Sequence, residues 1–369
     1  EKPIKWKANS AVVSGGRSLD CKGEWQMFDS DARIYRCKMP SDVVFDALFI
    51  AGMRQVRARY PNGSPLVPNE GYASGCKTES TKSPGTAFKK NMKVFGADGE
   101  NLLSTLCVFP QDKNLSVTVK DTSKPRTVDL VPKHKMTDQT QFWGTHFDET
   151  YNYPFWKSSA LTSILLPPSL QGRWRDATGA VVKMKHPAGF GSWAFEVSSQ
   201  NGDVFNFSKG GVQEARGLPA YLPGGCGAMY VENLPEELDA PGEWWLDVQH
   251  QWLYFIPLQD WSEAYLQQAE VIAPQLQQLI EFRGTRQAYV HSITLEGFNI
   301  THAAPTYLKS YEVPSGGDWS IHRGAAVFLD GVEGVQLRSL SFDQVDGNGI
   351  FFSNHAVDNL VQDCDFWRV

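Results

Sequence analysis

The sequence has no run of Lys and Arg and no basic stripe. Its 369 residues carry a formal net charge of −6. Nucleic-acid binding, which needs a positive surface, is therefore disfavoured. No stretch approaches the ~20 apolar residues that span a bilayer. The most apolar run, Ala160 to Leu166, stops at Pro167-Pro168. There is no Cys-x-x-Cys pair and no zinc-like Cys/His spacing, which argues against structural zinc. Long amphipathic helices are nearly absent. No charged-then-apolar leader stands at Glu1, so export would imply a signal peptide already removed.

Apolar residues make up 41% and charged residues 21%, a balance that supports a sizeable core and not disorder. Aromatics are plentiful, with 12 Trp, 12 Tyr and 21 Phe. Most serve core packing. A subset on a surface would suit sugars, because each pairs a flat apolar face with a polar edge. Of the six cysteines, Cys21 and Cys37 flank one short aromatic-rich segment and Cys76 and Cys107 another. Both spacings can close a disulfide, and sequence leaves the connectivity open. Cys226 sits in a Gly-rich loop. Cys364 lies in an alternating strand, as a small buried apolar residue does. Sequons at Asn62, Asn114, Asn206 and Asn299 point to export, with Asn114 and Asn206 the best placed for glycosylation.

Apolar and polar residues alternate over short stretches separated by Gly, Pro, Asn and Asp, the pattern of strands and turns. Val43 to Gly52 is expected as a strand, a turn and the start of a second strand, and strands are expected over Arg54 to Tyr60, Leu115 to Val119, Val181 to Met184 and Trp193 to Val197. Residues 76–93 read as an exposed loop, and 120–140 as a connection or edge strand. Ser262 to Ile280 is rich in helix formers, but Ala273-Pro274 divides it. Strands are expected there, with at most one helical turn around Ser262 to Gln267.

The C-terminal part repeats. Val335-Gln-Leu-Arg-Ser-Leu-Ser-Phe342 recurs as Asn359-Leu-Val-Gln-Asp-Cys-Asp-Phe366, and a third copy is His291-Ser-Ile-Thr-Leu-Glu-Gly-Phe298. Asp346 to Ser353 and Gly324 to Asp330 fill equivalent slots between copies. Phe342 and Phe366 lie 24 positions apart, a period of stacked-repeat architectures. Such rungs are stable only when stacked. The fold expected is all-β, a parallel β-helix with an inserted β-sandwich-like domain. Residues 1–20 form an early coil, 21–135 an inserted β-rich domain, 136–265 its second part and the connection back, and 266–369 the later coils. Residues 303–323 read as a long projecting loop. The rung at Val369 would be left uncapped, so the chain is expected to continue into a longer protein.

The segment Phe49-Ile-Ala-Gly-Met-Arg-Gln-Val-Arg-Ala-Arg-Tyr-Pro-Asn62 resembles a block of secreted β-helix proteins. Gly210 to Gly217, Tyr230 to Trp244 and Ala269 to Thr285 resemble further blocks. The group is pectate-lyase-like, with a right-handed parallel β-helix, and some members resemble family 141 glycoside hydrolases. The resemblance implies a secreted protein acting on a polysaccharide or other glycan.

Glycoside hydrolysis needs two carboxyl groups flanking the scissile bond. Asp343 and Asp346 bracket a turn between coil strands, and Asp363 and Asp365 recur one coil later, although Asp also serves turns through its own backbone hydrogen bonds. The loop Gly316 to Arg323 adds Asp318 and His322 as acid–base candidates, with Trp319 and Arg323 to stack on and bind substrate. The acid cluster Glu232, Glu236, Glu237, Asp239 and Glu243 could bind substrate with Trp244. It could also hold Ca²⁺ through carboxylate oxygens, or form a solvated turn. His186 and Glu214 are weaker candidates. Arg54, Arg57 and Arg59 are expected to share a face and pair with acids. The leading expectation is a glycoside hydrolase with no required cofactor. The alternatives are a non-catalytic glycan-binding, adhesive or matrix protein, and a polysaccharide lyase.

Overall fold

The computed structural model describes residues 3–62, 94–95, 116–120, 125–129, 163–166, 170–185, 192–211, 228–285, 287–309, 311 and 321–369. Cys76, Cys107, Asn114, His186, Glu214, Cys226, Asp318, Trp319 and the 76–93 loop lie outside them. The described chain is all-β, and its one α-helix is Glu263–Gln268. Ser262 caps that helix by accepting a hydrogen bond from the Tyr265 N–H at 3.1 Å, a common N-terminal device. No described helix is long and apolar enough to cross a membrane. The chain divides into two units. One is Glu1–Ala58, Leu238–Lys309 and His322–Val369; the other is Arg59–Glu237 and Ser310–Ile321.

Parallel ladders organise the first unit. Strand Ile4–Ser14 pairs parallel with Ile293–Thr301. The latter pairs with Gln336–Arg338 and Ser341–Asp343, which pair in turn with Leu360–Gln362 and Asp365–Trp367. A second parallel set runs from Ile280–Arg283 and Val290–His291 to Val327–Glu333 and on to Ile350–Val357. Between the two sets lies a core of Leu295, Ile300, Val327, Leu329, Val332, Val335, Leu337 and Phe342.

The register corrects one detail of the repeat. Matching Phe298 to Phe342 would slide that strand by two residues, because Ile300 faces Phe342 and Thr294 faces Gln336. A two-residue slip keeps the same side chains inward, so apolar alternation cannot detect it.

Left-handed backbone recurs at matching corners of the ladders. Ser292, Gly334 and Asp358 form one set; Ser10, Gly297, Ser339 and Asp363 a second; His302, Gln344 and Arg368 a third. Such φ values are uncommon outside Gly, Asn and Asp. The third set is thus the unusual one, holding His302, Gln344 and Arg368 in left-handed backbone.

The first unit also contains two smaller sheets around one core. The five-stranded sheet runs Gln26–Asp29, Ile34–Lys38, Trp252–Phe255, Glu243–Asp247, Val56–Arg57. The four-stranded sheet runs Gly16–Leu19, Val271–Pro274, Phe49–Ile50, Met53–Arg54. Their shared core contains Leu19, Leu48, Ile50, Trp244, Leu253, Phe255 and Val271. Cys21 and Cys37 join there in a disulfide, with Cα atoms 5.7 Å apart. Of the strand, turn and strand start expected over Val43 to Gly52, the first strand begins only at Phe49, Ala51-Gly52 turns with both φ angles positive, and the second strand starts at Met53.

The second unit is a seven-stranded sheet in the order Arg59–Tyr60, Ala228–Glu232, Val181–Lys185, Ser192–Asn201, Val204–Gly210, Ser163–Leu165, Val94–Phe95. Trp174, Trp193, Phe195 and Phe205 fill its core. Ser116–Lys120 and Pro125–Asp129 form a separate antiparallel pair.

Candidate functional site

The third left-handed corner and the hairpin Phe49–Arg54 meet in the first unit. Arg54 donates from Nη1 to Asp346 Oδ1 at 2.6 Å and from Nη2 to Oδ2 at 2.5 Å. Its guanidinium carbon stands 5.4 Å from the Phe49 ring centroid. Phe49 packs on the His302 ring with centroids 4.7 Å apart. The Nδ1 of His302 and the Ser14 hydroxyl are 3.0 Å apart. Gln344 donates to the Gly52 carbonyl at 3.1 Å, and the Asp346 N–H donates to the Ala303 carbonyl at 3.3 Å. On the next corner, Arg368 donates to Asp343 from Nε at 2.7 Å and from Nη2 at 2.5 Å. The Asp346 turn needs a glycine next: a Cβ on Gly347 would stand 2.9 Å from the Thr306 hydroxyl, and its φ is +134°.

Electrostatics gives these groups distinct characters. Hydrogen bonds and charge from Arg368 hold the Asp343 carboxyl below its usual range, against a smaller effect of burial. Burial lowers the His302 pKa, opposed by the charges of Glu270 and Asp343. His302 is thus a neutral imidazole and Asp343 a carboxylate near neutral pH. Bidentate guanidinium–carboxylate pairs fix geometry as well as charge. Gln344 Oε1 is buried without a hydrogen-bond partner, a costly state for an acceptor.

Sequence reasoning therefore named both carboxylates of this cluster and missed much of what surrounds them. Arg54, Arg57 and Arg59 do not share a face. The run breaks into short strands in three different sheets, so Arg54 meets Asp346, Arg57 pairs with Asp46 at 2.8 Å, and Arg59 lies near the Tyr230 ring. His302, Arg368 and Ser14 carried no local motif. Only the two-residue register, which aligns His302 with Gln344 and Arg368, reveals them.

The other expected site residues make the following contacts. Arg323 donates to the Ser353 hydroxyl, and its guanidinium lies 5.4 Å from the Phe351 ring centroid. The His322 carbonyl accepts from Asn348 at 2.9 Å. Asp363 and Asp365 are exposed. Glu243 is buried, its Oε2 accepting from the Asp239 and Ala240 N–H groups at 3.1 Å each. Trp244 is fully buried against Phe45. In the second unit, Glu237 is buried and accepts from Arg173 at 2.7 and 2.8 Å and from the Trp174 indole at 2.6 Å. Glu232 pairs there with Lys183 at 2.8 Å. Asn206 lies on a strand and donates to the Ser199 hydroxyl at 3.0 Å. Among the described residues no group of three or more His, Cys, Asp or Glu could hold a metal ion.

The chain matches no family model, and a search of curated proteins gave no match. Among solved structures it is similar to one described as a glycoside hydrolase. The TM-score is 0.51 at 17% identity, over 94% of this chain and 51% of that one. This likeness assigns a glycoside-hydrolase-like fold. The chain spans about half the length of that structure.

Proposed function

We propose that this is a secreted, carbohydrate-active protein that hydrolyses a polysaccharide, with Asp343 and Asp346 at its site. Its parallel ladders are read as coils of a right-handed parallel β-helix of the pectate-lyase type, akin to family 141 glycoside hydrolases. The early coil lies in residues 1–20 and the later coils in 266–369. The disulfide supports an oxidising compartment outside the cytosol. The observation that carries the reading is the convergence of Asp343, Asp346 and Arg54 beside the left-handed corner of His302, Gln344 and Arg368, since strained backbone tends to gather at functional sites.

Asp343, held ionised by Arg368, suits the base or nucleophile and not the proton donor. Asp318 and His322 are proposed for proton donation on their sequence position, with Trp319 and Arg323 as substrate contacts. His302 supplies a neutral hydrogen-bonding group beside the carboxylates.

A second reading is a non-catalytic glycan binder. It is favoured by the bidentate capture of both carboxylates, an arrangement that equally suits fixed architecture. Turnover of a polysaccharide panel, with binding to the same glycans followed in parallel, separates the two. Release of new reducing ends supports hydrolysis. Binding without release supports the second reading.

A further inference from the structure

The five-stranded sheet of the first unit turns one side to its core and the other to solvent. Tyr35, Cys37, Trp244, Leu246, Leu253 and Phe255 point inward and are buried. The strand period of two therefore sends Arg36, Lys38, Trp245, Trp252 and Tyr254 outward. Cross-strand pairing sets them side by side: Trp252 faces Lys38, and Tyr254 faces both Arg36 and Trp245. Trp245 and Tyr254 lie 5.5 Å apart at 31°. Phe28, 54% exposed, meets Tyr254 edge-on at 5.0 Å. None of these side chains belongs to the Asp343–Asp346 cluster.

The charge on this face is also informative. The Arg36 guanidinium lies 4.3 Å from the Trp252 centroid and 5.4 Å from that of Phe28. Lys38 Nζ is 4.9 Å from Trp252. Among the described residues the Arg36 side chain has no ion pair or hydrogen bond, and its Nε is buried without a partner. The face's carboxylate, Asp247, is engaged by His250 at 2.8 Å. The result is a row of aromatic rings beside an unneutralised guanidinium.

We propose that this face binds an acidic polysaccharide chain. The apolar faces of successive sugar rings stack on Trp252, Tyr254 and Trp245, and Arg36, with Lys38, receives a sugar carboxylate. Charge complementarity selects a uronate-bearing chain over a neutral one. The proposal rests on the carbohydrate reading for its ligand class and does not require hydrolysis.

Affinity gel electrophoresis of the full chain tests it, with alginate as the acidic probe and a neutral β-glucan as the control. Alginate is expected to retard the protein more than the glucan. Trp252→Ala and Tyr254→Ala should weaken alginate binding about tenfold, equivalent to ~1.4 kcal/mol. Arg36→Gln, a surface change with little reach into the core, should abolish the preference for alginate. Arg283→Gln, which removes the same charge from a side chain outside this face and paired with Glu281, should bind like wild type, which separates this face from general charge attraction. Absence of retardation by alginate, or unchanged preference in folded Arg36→Gln protein, would overturn the proposal.

Discussion

Arg54 and Asp346 stand 292 positions apart and meet through two parallel N–H···O bonds of 2.6 and 2.5 Å. The pair ties the Phe49–Arg54 hairpin to a turn between parallel ladders. Replacing Arg54 with Lys would keep the charge and lose the fork. Because the Arg54 side chain is 43% exposed, stability should fall by no more than about 1 kcal/mol. Activity should fall far more, by about 100-fold, if the pair positions a reacting carboxylate. Thermal melts and turnover of the same sample check both.

Glu296 lies between Lys5 and Lys7, each 2.6 Å away. Their hydrogen bonds and charge lower its pKa from 4.5 to about 2. A depressed folded-state value stabilises the fold above the unfolded value and loses that effect as pH falls toward the folded one. The window is therefore from about pH 4.5 down to about 2. The Lys5→Gln/Lys7→Gln variant should begin acid unfolding at higher pH than wild type, as followed by circular dichroism. Coincident acid limbs would contradict this assignment.

His302 is lowered by burial, so the folded state should bind its proton only below the ordinary imidazole range. Stability linked to this ring is present above its unfolded value of 6.5 and declines as pH drops below it. In NMR titration the His302 midpoint should lie below the ordinary imidazole value of 6.5. His302→Gln should flatten the stability profile over that interval.

Phe342 and Phe366 stack at 4.7 Å with planes 4° apart. Phe342 is fully buried, while Phe366 is 48% exposed. Phe342→Ala should cost about 3–5 kcal/mol through lost burial and a cavity. Phe366→Ala should cost under about half as much. Urea unfolding of the two variants gives the comparison.

The Cys21–Cys37 disulfide spans 16 positions and is fully buried. Closing a loop of that length should stabilise by about 3 kcal/mol. The Cys21→Ser/Cys37→Ser variant should melt at lower temperature than the oxidised protein, and adding reductant should leave the variant unchanged.

The parts of the fold readable in sequence were those written in local alternation. The 24-residue repeat linking Phe342 to Phe366, the strand in Val181–Lys185 and the short helix after Ser262 all follow from side-chain period and capping. The Ile293–Thr301 register was not readable, because slipping by two residues preserves which side chains face inward. That slip concealed His302, whose partners Ser14, Phe49 and Asp343 are brought in by distant pairing. Asp343 and Asp346 were visible as acids around a turn. Their guanidinium partners were not, since Arg54 reaches Asp346 only after the Arg54–Tyr60 run breaks among three sheets. Trp244 and Trp245 show the same limit from adjacent positions: one fills the core and its neighbour faces out, and strand register alone decides which.

We propose that Asp343 and Asp346 form a hydrolytic pair. Its most direct measurement is reducing-end release from a polysaccharide panel by wild-type, Asp343→Asn and Asp346→Asn proteins of matched folded content. Turnover on at least one glycan by wild type, reduced by at least about 100-fold in each variant, is the predicted result. Full turnover in either folded variant, or no turnover of any glycan by wild type, would contradict it.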